Sequence, residues 1–170
     1  MEITIDEIKV MAEDEELEAK KAAGSDGTGA LPEEFFKTYS AMANTNGGVV
    51  LLGVEEKPKG VFTPSGMGNP EKVKQQLWDL LNNRQKVSVN ILCNKHVETF
   101  IVEGKKGIKV QIPRAKRNQR PVYIGPNPLT GTYRRLNEGD YHCPEDVVRR
   151  MIADQVEESR DAQILEGYSI

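Results

Sequence analysis

An apolar run behind two glycines constrains the fold of this chain more than any other feature. Residues 49–52 are all valine or leucine, and they follow Asn46, Gly47 and Gly48. Upstream, residues 35–43 place aromatic and apolar side chains near the period of a helix. Glycine accepts the left-handed conformation that closes a helix, and a strand that is apolar on both faces is covered on both sides. This stretch therefore predicts a helix, its glycine cap and a central strand.

The rest of the chain alternates between helical and extended patterns. Proline followed by acids, at 32–34 and 144–146, is typical of a helix start. We predict a helix or irregular segment over 3–16, helices over 32–46, 69–83 and 143–161, a loop over 22–32, strands over 15–21 and 48–54, three strands within 87–113 and short strands within 121–141. Together they predict a single α+β domain with a mixed, mostly antiparallel sheet packed with about three helices.

Composition excludes several classes of protein. A length of 170 residues suits one domain. There is no apolar run of about 18 residues and the first residues are acidic, so we expect neither a membrane span nor a secretory leader. Cys93 and Cys143 are far apart, which indicates a reduced, cytoplasmic environment. The two histidines are too few for most transition-metal sites, and the sequence contains no nucleophile elbow, Walker or dinucleotide-binding glycine motif.

Charge is distributed unevenly along the chain. The net charge is −3, yet residues 104–137 contain nine bases and no acid. Bases interleaved with aromatic residues suit contact with a nucleic-acid backbone and stacking on bases, whereas the alternative is a solvated hairpin. Neighbouring residues of a strand alternate faces, so we expect one of the two adjacent arginines at 134–135 to pair with an acid instead. The candidate binding residues are Lys105, Lys106, Arg114, Lys116, Arg117, Arg120, Tyr123, Arg134 and Arg135.

Three acids form a second candidate site. Glu18 lies within the predicted strand 15–21 and Glu55 follows the central strand, so the two meet if the strands are neighbours. Glu13 joins them only if the chain breaks before Leu17, because an odd separation along one strand places side chains on opposite faces. Such a cluster would hold Mg²⁺ or Mn²⁺ and activate water, with Lys20 steadying a phosphate. The alternatives are a solvated acidic run, or pairing of Lys20 with one of the acids.

The sequence resembles the Schlafen AlbA-like domain in three blocks, which read ELEAKK at 16–21, FFKTYSAMANTNGGVVLLGVEE at 35–56 and RPVYIGPNPLTGTYRRLNEGDYHCPEDVVRRMI at 120–152. The resemblance covers about residues 10–155 and implies an α+β fold that binds nucleic acid, as in many bacterial DNA-binding proteins and transcriptional regulators. Bacterial members often continue into an ATPase-like module. The resemblance thus implies that residues 156–170 are a linker or the start of a C-terminal module.

Animal relatives in this family include metal-dependent endoribonucleases with an E-x4-E-x-K pattern and a later acid. In this sequence Glu13, Glu18 and Lys20 match the first part, and Glu55 matches the last acid. The chain departs from the pattern at Ala19, where an aromatic residue is frequent, and at Glu55, where the family commonly has aspartate. Both departures favour a binding module over an enzyme.

We therefore predict a DNA-binding module of a bacterial transcriptional regulator, with DNA or RNA as its partner and no obligatory cofactor. One alternative is an endoribonuclease that uses Mg²⁺ or Mn²⁺, and another is a protein-interaction domain whose basic strip meets an acidic partner. The last residues include the apolar Ile164, Leu165, Tyr168 and Ile170. We expect them to pack against a further module, to dock as a tail or to form a homodimer contact.

Overall fold

The computed structural model describes residues 1–24 and 29–168, with side chains up to 160. The helices are α1 (Ile5–Asp14), α2 (Phe35–Asn44), α3 (Pro70–Leu81), the short α4 (Pro128–Gly131) and α5 (Glu145–Tyr168). The strands are β1 (Leu17–Lys20), β2 (Gly48–Leu52), β3 (Val54–Glu56), β4 (Phe62–Pro64), β5 (Val97–Val102), β6 (Lys105–Ile112), β7 (Tyr133–Leu136) and β8 (Gly139–His142). The predicted α+β class with a mixed, mostly antiparallel arrangement of strands is confirmed.

A four-stranded sheet in the order β1-β2-β6-β5 forms the centre of the domain. Strand β1 runs parallel to β2, and the pairs β2–β6 and β6–β5 are antiparallel. All five residues of β2 are buried, as the apolar run predicts. Residues Val50 and Leu52 join the larger hydrophobic core with α2 and α3, while Val49 and Leu51 join a smaller core under α1.

The turn into β2 depends on glycine. Gly47 has a φ of +74° and its N–H donates to Met42 O at 2.7 Å, which closes α2. A Cβ atom at this position would lie 2.6 Å from Ile112 O, so the neighbouring strand also requires the missing side chain. The predicted glycine cap is confirmed, and it places the end of α2 directly against the end of β6.

Small polar residues on α2 fasten distant parts of the chain to it. The Asn44 side chain donates to Val122 O at 2.8 Å and to Tyr133 O at 2.9 Å, and its Oδ1 accepts from Val122 N–H at 2.8 Å. Ser40 Oγ donates to Val122 O at 2.7 Å and accepts from Tyr133 N–H at 3.0 Å. Buried polar groups are stable only when they are paired in this way, so α2 sets the position of residues 122 and 133.

The chain leaves the central sheet at a second glycine. Gly53 has a φ of +94°, its N–H donates to Lys20 O at 2.8 Å, and its carbonyl accepts from Ser65 and Gly66. Residues after it form the β3–β4 pair, and β7 and β8 form another two-stranded sheet. The sequence predicts one continuous strand over 48–54, whereas the structure separates β2 from β3 because the left-handed glycine redirects the backbone.

One further expectation changes. Two strands, not three, lie within 87–113. Residues 88–93 alternate like a strand, but side chains take their backbone groups: Ile91 N–H donates to Tyr39 Oη and Leu92 N–H to Asn90 Oδ1.

Within the predicted loop over 22–32, residues 25–28 lie outside the described part. The side chains of Ile164, Leu165, Tyr168 and Ile170 do too, although the backbone is helical through Tyr168. No helix among the described residues is long and apolar enough to cross a membrane.

We expect Gly47→Ala to lower the free energy of unfolding by more than about 2 kcal/mol, because it adds a backbone clash to the strain of a positive φ. Gly60→Ala is the matched control. Gly60 has a φ of +84°, and no atom lies within 4 Å of the position a Cβ would take, so it reports the strain alone, about 1 kcal/mol. Urea unfolding of both variants measures the difference, and equal losses would contradict the role given to Ile112 O.

Candidate functional site

Arg135 joins three carboxylates from distant parts of the chain. Its guanidinium donates from Nη1 to Asp140 Oδ1 at 2.7 Å, from Nη2 to Glu18 Oε2 at 2.8 Å and from Nε to Glu16 Oε2 at 3.2 Å. The arginine side chain is only 3% exposed. Three charge-assisted hydrogen bonds to three different carboxylates hold the planar guanidinium in one orientation. We call these four residues the Arg135 cluster.

The surroundings fix the Arg135 cluster further. Arg135 N–H donates to Thr45 Oγ1 at 2.9 Å, just beyond the end of α2, and Thr38 Oγ1 donates to Asp140 Oδ2 at 2.6 Å. Burial by itself would lower the pKa of Arg135, but the hydrogen bonds to Glu18 and Asp140 outweigh burial and raise it. The arginine therefore stays charged at every physiological pH.

A polar cavity of about 510 Å³ opens beside the Arg135 cluster. The walls combine the end of α1, the start of β1, the end of β3 and the β7–β8 turn. The lining residues are Ala12, Glu13, Asp14, Glu15, Glu16, Leu17, Glu18, Glu56, Arg135 and Glu138. We call this space the carboxylate cavity, because seven of its ten lining residues carry a carboxylate.

The structure brings two of the three sequence-predicted acids together. Glu13 and Glu18 both line the carboxylate cavity, because α1 ends at Asp14 and the chain breaks before β1, as the pattern requires. From β3 the acid that lines the cavity is Glu56, whereas Glu55 pairs with Thr63 across the β3–β4 ladder. The turn at Gly53 accounts for this one-residue shift. Lys20 Nζ lies 3.9 Å from Glu18 Oε1, which is the pairing weighed for it from the sequence.

The arrangement does not fit a resident metal ion. Among the side chains that the structure describes, within 1–24 and 29–160, no group of three or more His, Cys, Asp or Glu is arranged to hold one. Glu16 and Glu18 direct carboxylate oxygens at Arg135, so the guanidinium would compete with a divalent ion for these oxygens. In this arrangement the carboxylates of Glu16 and Glu18 bind the guanidinium of Arg135.

The basic candidates fall into two groups at opposite ends of β6. Lys105 and Lys106 are exposed at the β5–β6 turn, whereas the other group follows the end of the strand. With about 3.3 Å per residue, the strand separates Lys106 from Arg114 by roughly 25 Å. The stretch without acids is therefore not one continuous patch.

The second group lies on residues 113–121, which we call the basic loop. Arg114, Lys116 and Arg117 are exposed and Arg120 is half-buried. The loop backbone is held at two points: Ala115 N–H donates to Ala43 O at 2.8 Å, and the Gln155 side chain donates to Asn118 O at 2.9 Å. The basic side chains thus project from a fixed backbone.

Several positive charges lie near one another in the basic loop. Burial lowers the pKa of Arg120, and the nearby charges of Arg114 and Arg117 lower it further, whereas two acids of α5 act in the opposite direction. Arg117 is partly compensated by α5, since its Nη2 lies 3.4 Å from Asp154 Oδ1 and 3.6 Å from Glu157 Oε2. The arginines are close enough to repel one another, and an anion bound between them would relieve that repulsion.

The remaining candidates differ in exposure. Tyr123 is half-buried beside the basic loop. Arg134 is half-buried, and its Nε is buried without a hydrogen-bond partner among the described residues. Arg135 is the arginine of the adjacent pair that meets acids, so the expected division between the two is observed. Sequence reasoning missed Glu16, Asp140 and Glu56, which are acids without a distinctive local motif.

The comparisons with known proteins identify the family. Residues 13–144 match the family described as "Schlafen, AlbA_2". The chain belongs to this family. A solution structure from Nitrosomonas europaea, the N-terminal domain of a protein described as related to the ATP-dependent DNA helicase RecG, shares 30% identity, with a TM-score of 0.56 over 82% of this chain and 90% of that one. The resemblance seen in the sequence is confirmed, and the family points to a domain associated with nucleic acids.

A second solved structure supports the fold of this AlbA_2 domain. The DIP2311 protein from Corynebacterium diphtheriae is 15% identical, with a TM-score of 0.51 over 82% of this chain but only 25% of that one. The same architecture therefore also forms a minor part of a longer chain. The comparison with curated proteins found no match.

We expect Arg135→Met to lower the free energy of unfolding by about 3 kcal/mol, because three carboxylates would lose their shared cation. The figure is at the low end for a buried pair, since the Glu16 side chain is 38% exposed. Arg149→Met is the matched control: its pair with Glu145 is more than 60% exposed on both sides, so the loss should stay below about 0.5 kcal/mol. Urea unfolding near neutral pH distinguishes the two, and equal losses would contradict the structural role of the cluster.

Proposed function

We propose that this domain is a nucleic-acid-binding module, and that within a longer bacterial protein it serves a DNA-associated regulator. The observation that supports binding is the crowding of Arg114, Arg117 and Arg120 on the anchored basic loop. Acids of α5 offset this positive charge only in part, and a phosphodiester backbone supplies further anions at regular spacing. Membership in the AlbA_2 family agrees with this proposal.

The architecture around the loop also suits binding. Hydrogen bonds to Ala43 and Gln155 hold the loop backbone, so the backbone itself loses little additional freedom when the loop meets phosphates. Arg114 and Lys116 are exposed, and within the described residues neither forms an ion pair. These two side chains are the ones most available to contact a phosphate.

Replacing Arg114 and Lys116 with alanine tests the proposal. Each lost phosphate contact should reduce the slope of log affinity against log salt by about 0.7 to 0.9. The double variant should therefore bind both duplex DNA and structured RNA more weakly, with a flatter salt dependence for each. Fluorescence anisotropy over a salt series measures affinity and slope together, and competition between the two nucleic acids shows which one is preferred.

The control removes the same charge elsewhere. Lys57 and Lys72 are exposed and lie outside the basic loop, so Lys57→Ala with Lys72→Ala should leave the slope unchanged. If the loop variant remains folded and keeps wild-type affinity and slope, the basic loop is only solvated surface. Absence of binding to either nucleic acid by the wild type would overturn the proposal itself.

A metal-dependent endoribonuclease is the second candidate, because Glu13 and Glu18 line one cavity. Two observations weigh against it: Glu18 pairs with Arg135, and Glu55 does not line the cavity with Glu13 and Glu18. We expect transfer RNA to stay intact with the wild type and Mn²⁺, as it does with the Glu18→Gln variant or with EDTA. Gel analysis decides: cutting by the wild type that Glu18→Gln or EDTA abolishes would replace the binding proposal with cleavage.

A further inference from the structure

We propose that the groove behind the basic loop is a pocket for one unpaired nucleobase, so that the domain prefers single-stranded segments to duplex. The inference rests on the proposed nucleic-acid binding and specifies which form of nucleic acid the same site takes. It is carried by a cavity of about 420 Å³ whose lining includes Arg84, Ser88, Gln119, Pro121, Tyr123 and Ile152.

The pocket, which we call the tyrosine cavity, has walls of two kinds. Pro121 and Ile152 provide apolar surface and Tyr123 provides an aromatic ring that is half-buried. Gln119 and Asn118 provide amide groups, and the exposed Arg84 brings a positive charge to the lining. A flat, partly apolar ligand with polar edges and an attached anion fits this combination, and a nucleotide has all of these features.

The tyrosine cavity has a fixed frame. Tyr123 N–H donates to Ser88 Oγ at 3.0 Å, and Ser88 N–H donates to Tyr123 O at 2.9 Å. On its other side Tyr123 pairs with Thr132 in an antiparallel bridge. The ring is thus carried by a backbone that is bonded from both sides, and a preorganised aromatic surface binds a base at lower entropic cost.

Continuity with the basic loop identifies the ligand class. Residues 118, 119 and 121 belong both to the lining of the cavity and to the loop. A strand whose phosphates contact Arg114 and Lys116 would pass the mouth of the cavity, where one base could turn inward onto Tyr123. In a duplex the bases are paired and stacked on one another, so they are not free to enter. The geometry therefore favours unpaired over paired nucleic acid.

Three labelled probes test the inference by fluorescence anisotropy: a short single strand, its duplex, and the same strand with abasic sites in place of its bases. The wild type should bind the single strand most tightly. Tyr123→Leu, which keeps apolar bulk but removes the ring, should weaken binding to the single strand by at least about five-fold and leave duplex and abasic binding unchanged. Tyr123→Phe keeps the ring and should bind like the wild type.

The control is Tyr141→Leu, since Tyr141 is 54% exposed and lies outside the cavity. It should leave binding to all three probes unchanged. If the wild type binds the single strand, duplex and abasic strand alike, or if Tyr123→Leu has no effect on the single strand, this inference fails while the proposed function stands. If the wild type binds none of the probes, both fail.

Discussion

The buried carboxamide of Asn44 holds in place the two parts of the chain on which both candidate sites depend. It forms hydrogen bonds with both backbone groups of Val122 and with the carbonyl of Tyr133, and Ser40 reinforces the same two residues. A buried amide left without partners costs about 1 to 3 kcal/mol, so the helix and the two segments are stable only in this arrangement. Residue 122 follows the basic loop and residue 133 begins the strand of Arg135. The last turn of α2 thus sets both sites at once.

In the Arg135 cluster, three carboxylates hold the guanidinium of a buried arginine. Here Glu16, Glu18 and Asp140 surround a guanidinium and link β1, β7 and β8. Buried ion pairs of this kind contribute little net stability over a well-packed apolar group, but they are costly to break and they favour one arrangement of the chain over others. Glu18, one of the acids matched to the nuclease pattern, is thus part of a connection between sheets.

The sequence predicted the elements that local chemistry determines and missed those that depend on distant contacts. The glycine cap, β2 and α3 follow from helical periodicity, glycine conformation and apolar runs. No strand forms at 88–93, because the side chain of Tyr39, some fifty positions away, accepts a backbone hydrogen bond from this stretch. Glu56 replaced Glu55 at the cavity because a left-handed glycine turned the chain. The alternation of Arg134 and Arg135 did predict an acid partner for one of them, but not which acids, since these are brought together only by the fold.

The carboxylate cavity and the basic loop place opposite charges on two sides of the same end of α2. The basic loop and the Arg135 cluster adjoin the same end of α2, through Ala43 on one side and Thr45 on the other. A polyanion that approaches this end is attracted by one flank and repelled by the other, over a range of about 10 Å at moderate salt. For a domain that binds nucleic acid as proposed, the two fields would orient the encounter before contact and would keep phosphates away from the carboxylate cavity.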